Sequence, residues 1–282
     1  MPNKEVDVAA FNAFEKKGWQ HSADPYHHYF GSLTAEAGAA LLDAMDTSPA
    51  GKALLDLATG PGYLALQAVR RGYAPVVGID FSDAMVALAR QVARDSAAAV
   101  EFRSGDAEAL LEAADSYDSV TMNFGLLHLG QPQRALAEAC RVLKAGGRFG
   151  FTVWSGPQRS LGFAVILAAI EAFADPSVAI PQGPLFFFFS TPANSVAAME
   201  AAGFRQVKVE SIELMWALDS AEALFEAFLK GTARTGGTLR AQTPATLDRI
   251  RQFVMRDAER FRIGTGIRIP MSVVITTGSK PA

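Results

Sequence analysis

The sequence predicts an α/β protein: a doubly wound, mostly parallel sheet with an N-terminal lid and capping insertions. Two observations predict it. From residue 53 to residue 154, short apolar runs alternate with helix-period segments at the spacing of successive βαβ units. Within that region, residues 53–65 read Ala-Leu-Leu-Asp-Leu-Ala-Thr-Gly-Pro-Gly-Tyr-Leu-Ala. There an apolar strand ends in Asp56, turns through Gly60 and Gly62, and becomes helical from Tyr63, with Leu64, Leu66, Ala68 and Val69 on one face. Glycines at such a corner let ligand atoms approach the backbone, and the helix N-terminus offers unpaired N–H groups. An ordinary strand–helix turn would carry the same residues.

Composition bounds the rest. The 282 residues fit one α/β domain with an inserted cap, and 50% apolar with 20% charged residues is ordinary for a globular core. A net charge of −3 argues against a nucleic-acid partner, because phosphate binding needs a concentrated basic face. The basic clusters Arg70-Arg71 and Arg249–Arg262 alternate with acidic or apolar residues, as solvated helix faces do. The single cysteine, Cys140, excludes an internal disulfide and sits on a helical pattern as a buried thiol. No signal-peptide core opens the chain, no apolar run approaches twenty residues, and Leu161–Ala174 is too short to span a bilayer. These features point to a soluble cytoplasmic protein with no membrane partner. No carboxylate and histidine set stands at metal-ligand spacing, so no metal is expected.

In order, residues 7–30 are rich in aromatics, and Asp24-Pro25 suggests two short helices flanking a turn. Phe11 and Phe14 suit packing of this lid, whereas Trp19, Tyr26 and Tyr29 are pocket candidates, since aromatic faces match a cationic ligand. Thr34 can cap a helix running to Met45. Strands and helices then alternate at 53–57, 63–71, 76–80, 83–94, 100–103, 107–114, 117–123, 133–143 and 147–154. Ser82 suits an N-cap, and Lys144-Ala145-Gly146-Gly147 ends a helix before the strand Arg148–Trp154. After Trp154 the alternation stops. Residues 156–190 read as a cap, and their run Phe186–Phe189 fits a cap core better than a pocket wall or a subunit contact. Thr191-Pro192 opens a helix ending near Gly203. Strands at 207–214 and 271–277 enclose helices 221–230 and 243–261, with a breaker stretch 231–238 between them. Lys230-Gly231-Thr232 is a turn, since no strand precedes it as a phosphate loop would require. The divisions are thus a lid at 1–33, a core at 34–155, the cap at 156–190, and 191–282 completing the core with a second insertion at about 219–265.

Three further sites follow the glycine corner. Asp80 ends the second strand twenty residues beyond Gly60, where an acid can accept from both hydroxyls of a ribose. Gly105-Asp106 follows the third strand, and Asn123 ends the fourth, before Phe124-Gly125-Leu126-Leu127. With these four spaced motifs the chain resembles the class I S-adenosylmethionine-dependent methyltransferases, especially small-molecule enzymes of the ubiquinone/menaquinone-methyltransferase group. The resemblance is strong over residues 50–155 and extends elsewhere by layout. It implies a seven-stranded Rossmann-like sheet closed by the antiparallel pair near 207–214 and 271–277, with both insertions bordering the substrate site. It implies S-adenosylmethionine as cofactor, S-adenosylhomocysteine as product, and the following contacts. Asp56 stands near the amino end of the methionine part. Ala58, Thr59, Gly60 and Gly62 contact the cofactor, Ala58 standing where the family has its first glycine. Asp80 takes the ribose, Phe81 and Met85 flank the adenine, and Asp106 with Ala107 meets its amine. Asn123, Phe124 and Gly125 floor the methionine part.

Methyl transfer from a sulfonium is an in-line displacement, so holding the reactants in line and excluding water do most of the work. A base is needed where the acceptor is protonated. The candidates are His128, beyond the fourth strand, and His27 or His28 in the leading segment, only one of which could face a pocket; His21 lies there too. The expected function is therefore methyl transfer to an O or N atom of a small aromatic or apolar molecule, with a homodimer through the cap conceivable. Two alternatives stay open. Gly60-x-Gly62-x-x-Ala65 with Asp80 also satisfies the dinucleotide fingerprint of an NAD(P)-dependent oxidoreductase. A non-catalytic cofactor-binding protein of the same fold would carry the same residues.

Overall fold

The computed structural model describes residues 7–45 and 48–282. Residues 1–6, part of the opening stretch judged to lack a signal-peptide core, lie outside the described residues. Five parallel strands form the sheet from one edge inward: β1 (Leu54–Leu57), β2 (Val76–Asp80), β3 (Glu101–Ser104), β4 (Tyr117–Asn123) and β5 (Leu143–Trp154). β6 (Arg205–Leu218), the two-residue β7 (Arg262–Ile263) and β8 (Gly266–Ser279) complete it in the order β3-β2-β1-β4-β5-β8-β6, with β7 on β8. β8 is antiparallel to both β5 and β6. The short β7 makes eight strands where seven were expected. From β1 the chain winds to β2 and β3 on one side, then returns to β4 and β5 on the other. This reversal opens a crevice at the carboxyl ends of β1 and β4. Every residue of β1 and β2 is buried, as strands covered by helices on both faces must be.

The lid is one helix. α1 (Val8–Ala44) runs 37 residues through Pro25, where two helices and a turn were expected. Proline inside a helix costs about 3 kcal/mol. Burial of Phe11, Trp19, Phe30, Leu33, Leu41 and Leu42 along its length offsets that, at about 1.5–3 kcal/mol for each large side chain. Asp7 is the N-cap, accepting from the Ala10 N–H at 3.0 Å. Thr34 is not a cap: inside the helix its hydroxyl donates to the Phe30 carbonyl at 3.0 Å. Leu41 and Met45 lie on the sheet, so close that a Cβ on Gly150 of β5 would stand 2.6 Å from the Met45 sulfur. The N-terminal half of α1 overhangs the crevice.

α2 (Tyr63–Arg70), α3 (Asp83–Asp95) and α4 (Pro132–Val142) are the helices of the βαβ units. Ser82 caps α3 by accepting from the Met85 N–H. The helix expected over 107–114 is instead a series of turns. Its N–H groups are taken by side chains, Glu108 donating to Asp106 at 2.8 Å and Leu110 to Glu138 at 2.8 Å, so no helical ladder forms. The expected insertions contain α5 (Leu161–Phe173), and α7 (Ala221–Gly231), α8 (Arg234–Arg240) and α9 (Pro244–Ala258), while α6 (Pro192–Ala201) lies between them. α5, α7 and α9 pack on one another, and α1 lies along α7. The expected breaker stretch 231–238 contains most of α8. Its glycines serve close approach: a Cβ on Gly237 would stand 2.5 Å from the Phe14 ring. Within the Phe186–Phe189 run, Phe189 is buried against Phe151, Phe186 and Phe187 pack on Phe163, and Phe188 is exposed.

Candidate active site

Asp56 is the third residue of β1, and after Leu57 the chain turns sharply through Ala58 at φ +49° and Gly60 at φ +53°. The alanine thus holds the left-handed conformation that favours glycine. Its methyl faces Gly125, where an added Cβ would come within 2.5 Å. The loops after β1 and β4 therefore touch, and between them and α1 lies a cavity of about 510 Å³.

Asp80, at the tip of β2, is buried and lines this cavity. Its two carboxylate oxygens accept from the Gly60 and Ser82 N–H groups, each at 2.9 Å. That leaves a second lone pair on each oxygen. Burial pushes its carboxyl up to about 6, against the pull of those two N–H donors. Phe81 and Met85 form one wall, and Asp106 with Ala107 another. At the end of β4, the Asn123 amide donates to the Thr34 carbonyl at 3.0 Å and accepts from Thr152 at 2.7 Å. Asn123, Phe124 and Gly125 line the cavity floor beside Ala58 and Gly60. Phe124, at φ +58°, stacks on Trp154 with ring centroids 4.0 Å apart.

Six expected site residues lie elsewhere. Asp56 is behind the loop, accepting from Thr59 at 2.7 Å and Thr121 at 2.8 Å, and burial lifts its carboxyl to about 7. Thr59 turns inward to make that bond. Gly62 packs on Phe102, so near that a Cβ would stand 2.6 Å from the ring. Asp56, Thr59 and Gly62 thus shape the loop from outside the cavity lining. Tyr29 points away, its carbonyl accepting from the Trp216 indole at 2.8 Å. His27 is exposed and bonded to the Tyr63 hydroxyl, and His28 is exposed against Tyr29. Successive helix residues point about 100° apart, so the face that brings Trp19 and Tyr26 to the cavity turns His27 and His28 away.

His128 does reach the cavity, in the turn after β4. Its Nδ1 meets the Glu15 carboxylate at 3.0 Å, and its ring stands edge-on to Trp19 at 4.8 Å. Trp19, Tyr26, Phe124 and His128 also line a small side chamber of about 30 Å³, whose other walls are Phe30, Trp154, Phe163, Phe186, Thr232, Arg234 and Thr235. Asn12, Lys16 and Glu108 also line the main cavity, and no sequence motif singled them out. Glu108 accepts from the Asn12 amide at 3.1 Å and so ties α1 to the loop after β3. Among the described residues, no group of three or more His, Cys, Asp and Glu side chains is placed to hold a metal ion, and no helix is long and apolar enough to cross a membrane.

A family model described as a methyltransferase domain matches residues 54–147. The demethylmenaquinone methyltransferase of Thermus thermophilus is 34% identical over 171 residues, covering 57% of this chain and 77% of that protein. The demethylmenaquinone methyltransferase of Renibacterium salmoninarum is 33% identical over 150 residues. That match covers 52% of this chain, which spans about three fifths of the relative's length, 61%. Among solved structures, a phosphoethanolamine N-methyltransferase of Haemonchus contortus in complex with S-adenosyl-L-methionine superposes with a TM-score of 0.62. At 18% identity, with 98% of this chain and 61% of that one covered, the likeness is one of fold.

Proposed function

The chain belongs to the class I S-adenosylmethionine-dependent methyltransferases, and we propose that it methylates a small aromatic acceptor at the oxygen of a hydroxyl on its ring. One observation carries the acceptor class: beside His128 the cavity is walled by the rings of Trp19, Tyr26 and Phe124. Flat apolar rings suit such walls, and stacked or edge-on aromatic pairs add about 0.5–1.5 kcal/mol each beyond burial. Similarity to relatives named for demethylmenaquinone, a quinone, supports the same class.

The cavity suits the cofactor. Asp80 offers two unused lone pairs to ribose hydroxyls, and an added Cβ at Gly60 would meet nothing within 4 Å, so the backbone is open to a ligand. When bound, S-adenosylmethionine supplies a methyl group made electrophilic by its sulfonium. Phe81 and Met85 would hold the adenine, Asp106 its amine, and Asn123 with Gly125 the methionine part. Trp19 and Tyr26 present aromatic faces to the sulfonium's surroundings and exclude water. Nε2 of His128 takes the proton of the acceptor hydroxyl as the oxygen becomes nucleophilic.

The test supplies methyl-labelled S-adenosylmethionine with a panel of hydroquinones, simple phenols and aliphatic amines, and follows label into product. Label on phenolic oxygen is expected. Label on amines alone overturns the acceptor class, and label on ring carbon overturns the oxygen assignment. A parallel melting series with S-adenosylhomocysteine and NAD checks the cofactor, since a ligand at a hundred times its Kd adds about 2.7 kcal/mol. Stabilisation by NAD alone would point to hydride chemistry instead.

A further inference from the structure

Beside residues that line both cavity and side chamber, a fully buried carboxylate stands that the proposed reaction does not itself require. Glu15 of α1 has no exposed surface. Its Oε2 faces the Trp19 indole N–H at 3.2 Å and His128 Nδ1 at 3.0 Å, and its Oε1 accepts from Arg234 Nε at 3.4 Å. Lid, post-β4 turn and second insertion thus converge on one side chain. Isolated, such a carboxylate would cost several kcal/mol to bury in its charged form. Arg234 supplies the opposite charge. It is itself held by the carbonyls of Pro184, at 2.9 Å, and Leu127, at 3.2 Å, and it lies over the Phe11 ring.

An ionised carboxylate can only accept hydrogen bonds. The ring nitrogen facing it must therefore carry the proton, which fixes neutral His128 as the Nδ1–H form with the lone pair on Nε2. Nε2 makes no hydrogen bond among the described residues, and the ring lines both cavity and chamber. Trp19 at 4.8 Å and Phe186 at 5.9 Å, both edge-on, hold the ring plane.

We infer that Glu15 is the positioning residue of His128, setting its tautomer and aiming Nε2 at the acceptor, with Arg234 keeping Glu15 charged. The inference rests on the reading of His128 as base, but its test needs no acceptor. The full chain carries four histidines, His21, His27, His28 and His128. Labelled with ¹⁵N in histidine, it is examined in mildly alkaline buffer by long-range ¹H–¹⁵N spectra that read each ring's tautomer, and His128 is assigned by its loss in His128→Gln. The other charged groups lining the cavity are Lys16, Asp80, Asp106 and Glu108, and all are kept in both samples.

The wild type is expected to show the Nδ1–H tautomer. Glu15→Gln should lose that preference, because the amide can face Nδ1 with its NH₂ as well as with its oxygen. A wild-type Nε2–H tautomer, or an undiminished Nδ1–H preference in Glu15→Gln, overturns the inference. Should Glu15→Gln not fold, the wild-type tautomer alone decides. The expected tautomer with no methylated phenol would sink the proposed function and leave this pairing standing.

Discussion

Asp80 combines two roles that a substitution can separate. Its carboxylate bonds the Gly60 and Ser82 N–H groups, fixing the glycine corner, and still presents acceptors to the cavity. Asp80→Ala removes both, and hydrogen bonds to a charged group are worth about 1.5–3 kcal/mol. S-adenosylmethionine affinity should fall roughly 10- to 150-fold in calorimetry; unchanged affinity would remove Asp80 from the cofactor site. His128→Gln should act oppositely, leaving that affinity within about twofold while turnover of a phenolic acceptor drops by about 10²–10⁴. Equal turnover would exclude His128 as base. Asp80 and Asn123 could be picked from the sequence because each ends a strand whose apolar run marks its end. His128 and His27 looked alike there, since only the fold shows that one enters the cavity and the other pairs with Tyr63. Glu15 and Arg234 were not legible, being 219 residues apart and joined only by packing. The available signal was the four-residue spacing of Glu15 and Trp19, which puts both on one helix face once α1 is continuous.

At the scale of elements, the length of α1 decides whether the cavity has a roof. Asp24-Pro25 reads locally as a break. The helix continues because its buried face is held by partners from other parts of the chain, above all α7, then α2 and α3. A tight backbone contact lies at Gly18, where a Cβ would stand 2.6 Å from the Ala233 Cβ and 2.9 Å from its Cα. Gly18→Ala must therefore push α1 off the residue preceding α8. Overpacking of this kind costs about 1–3 kcal/mol, and so a Tm lowered by several degrees is expected. Because Trp19 adjoins this contact and lines the cavity, cofactor affinity should weaken with it. The pair Gly18→Ala with Ala233→Gly should recover part of both losses, since the nearer clash is Cβ to Cβ. A Gly18→Ala protein melting at the wild-type temperature would show that α1 is not seated this closely. The strands of the core were legible by contrast, because β1 and β2 are apolar at nearly every position and need no distant partner to be recognised.

Across the whole molecule, the two buried carboxylates at the glycine corner tie stability to pH and to the cofactor. Burial raises Asp56 to about 7 and Asp80 to about 6, from an ordinary value of 3.8. Below about pH 4 both groups are protonated whether the chain is folded or not. Between pH 4 and 7 the folded protein holds protons that the unfolded chain has released, so these groups make stability fall as pH rises. Asp56→Asn, which keeps the side chain's size and no longer titrates, should flatten that decline in melting curves between about pH 5 and pH 8. A variant as steep as the wild type would mean that Asp56 ionises freely. The cofactor should act on Asp80 with the opposite sign. Ribose hydroxyls donate to its ionised form and draw its pKa down, so binding releases a proton where the empty site holds one. S-adenosylmethionine should therefore raise the Tm more at about pH 8 than at about pH 5, at equal ligand excess. The difference should vanish in Asp80→Asn, where no charge remains to be stabilised. An equal shift at both pH values in the wild type would mean that the ribose hydroxyls are not received by this carboxylate.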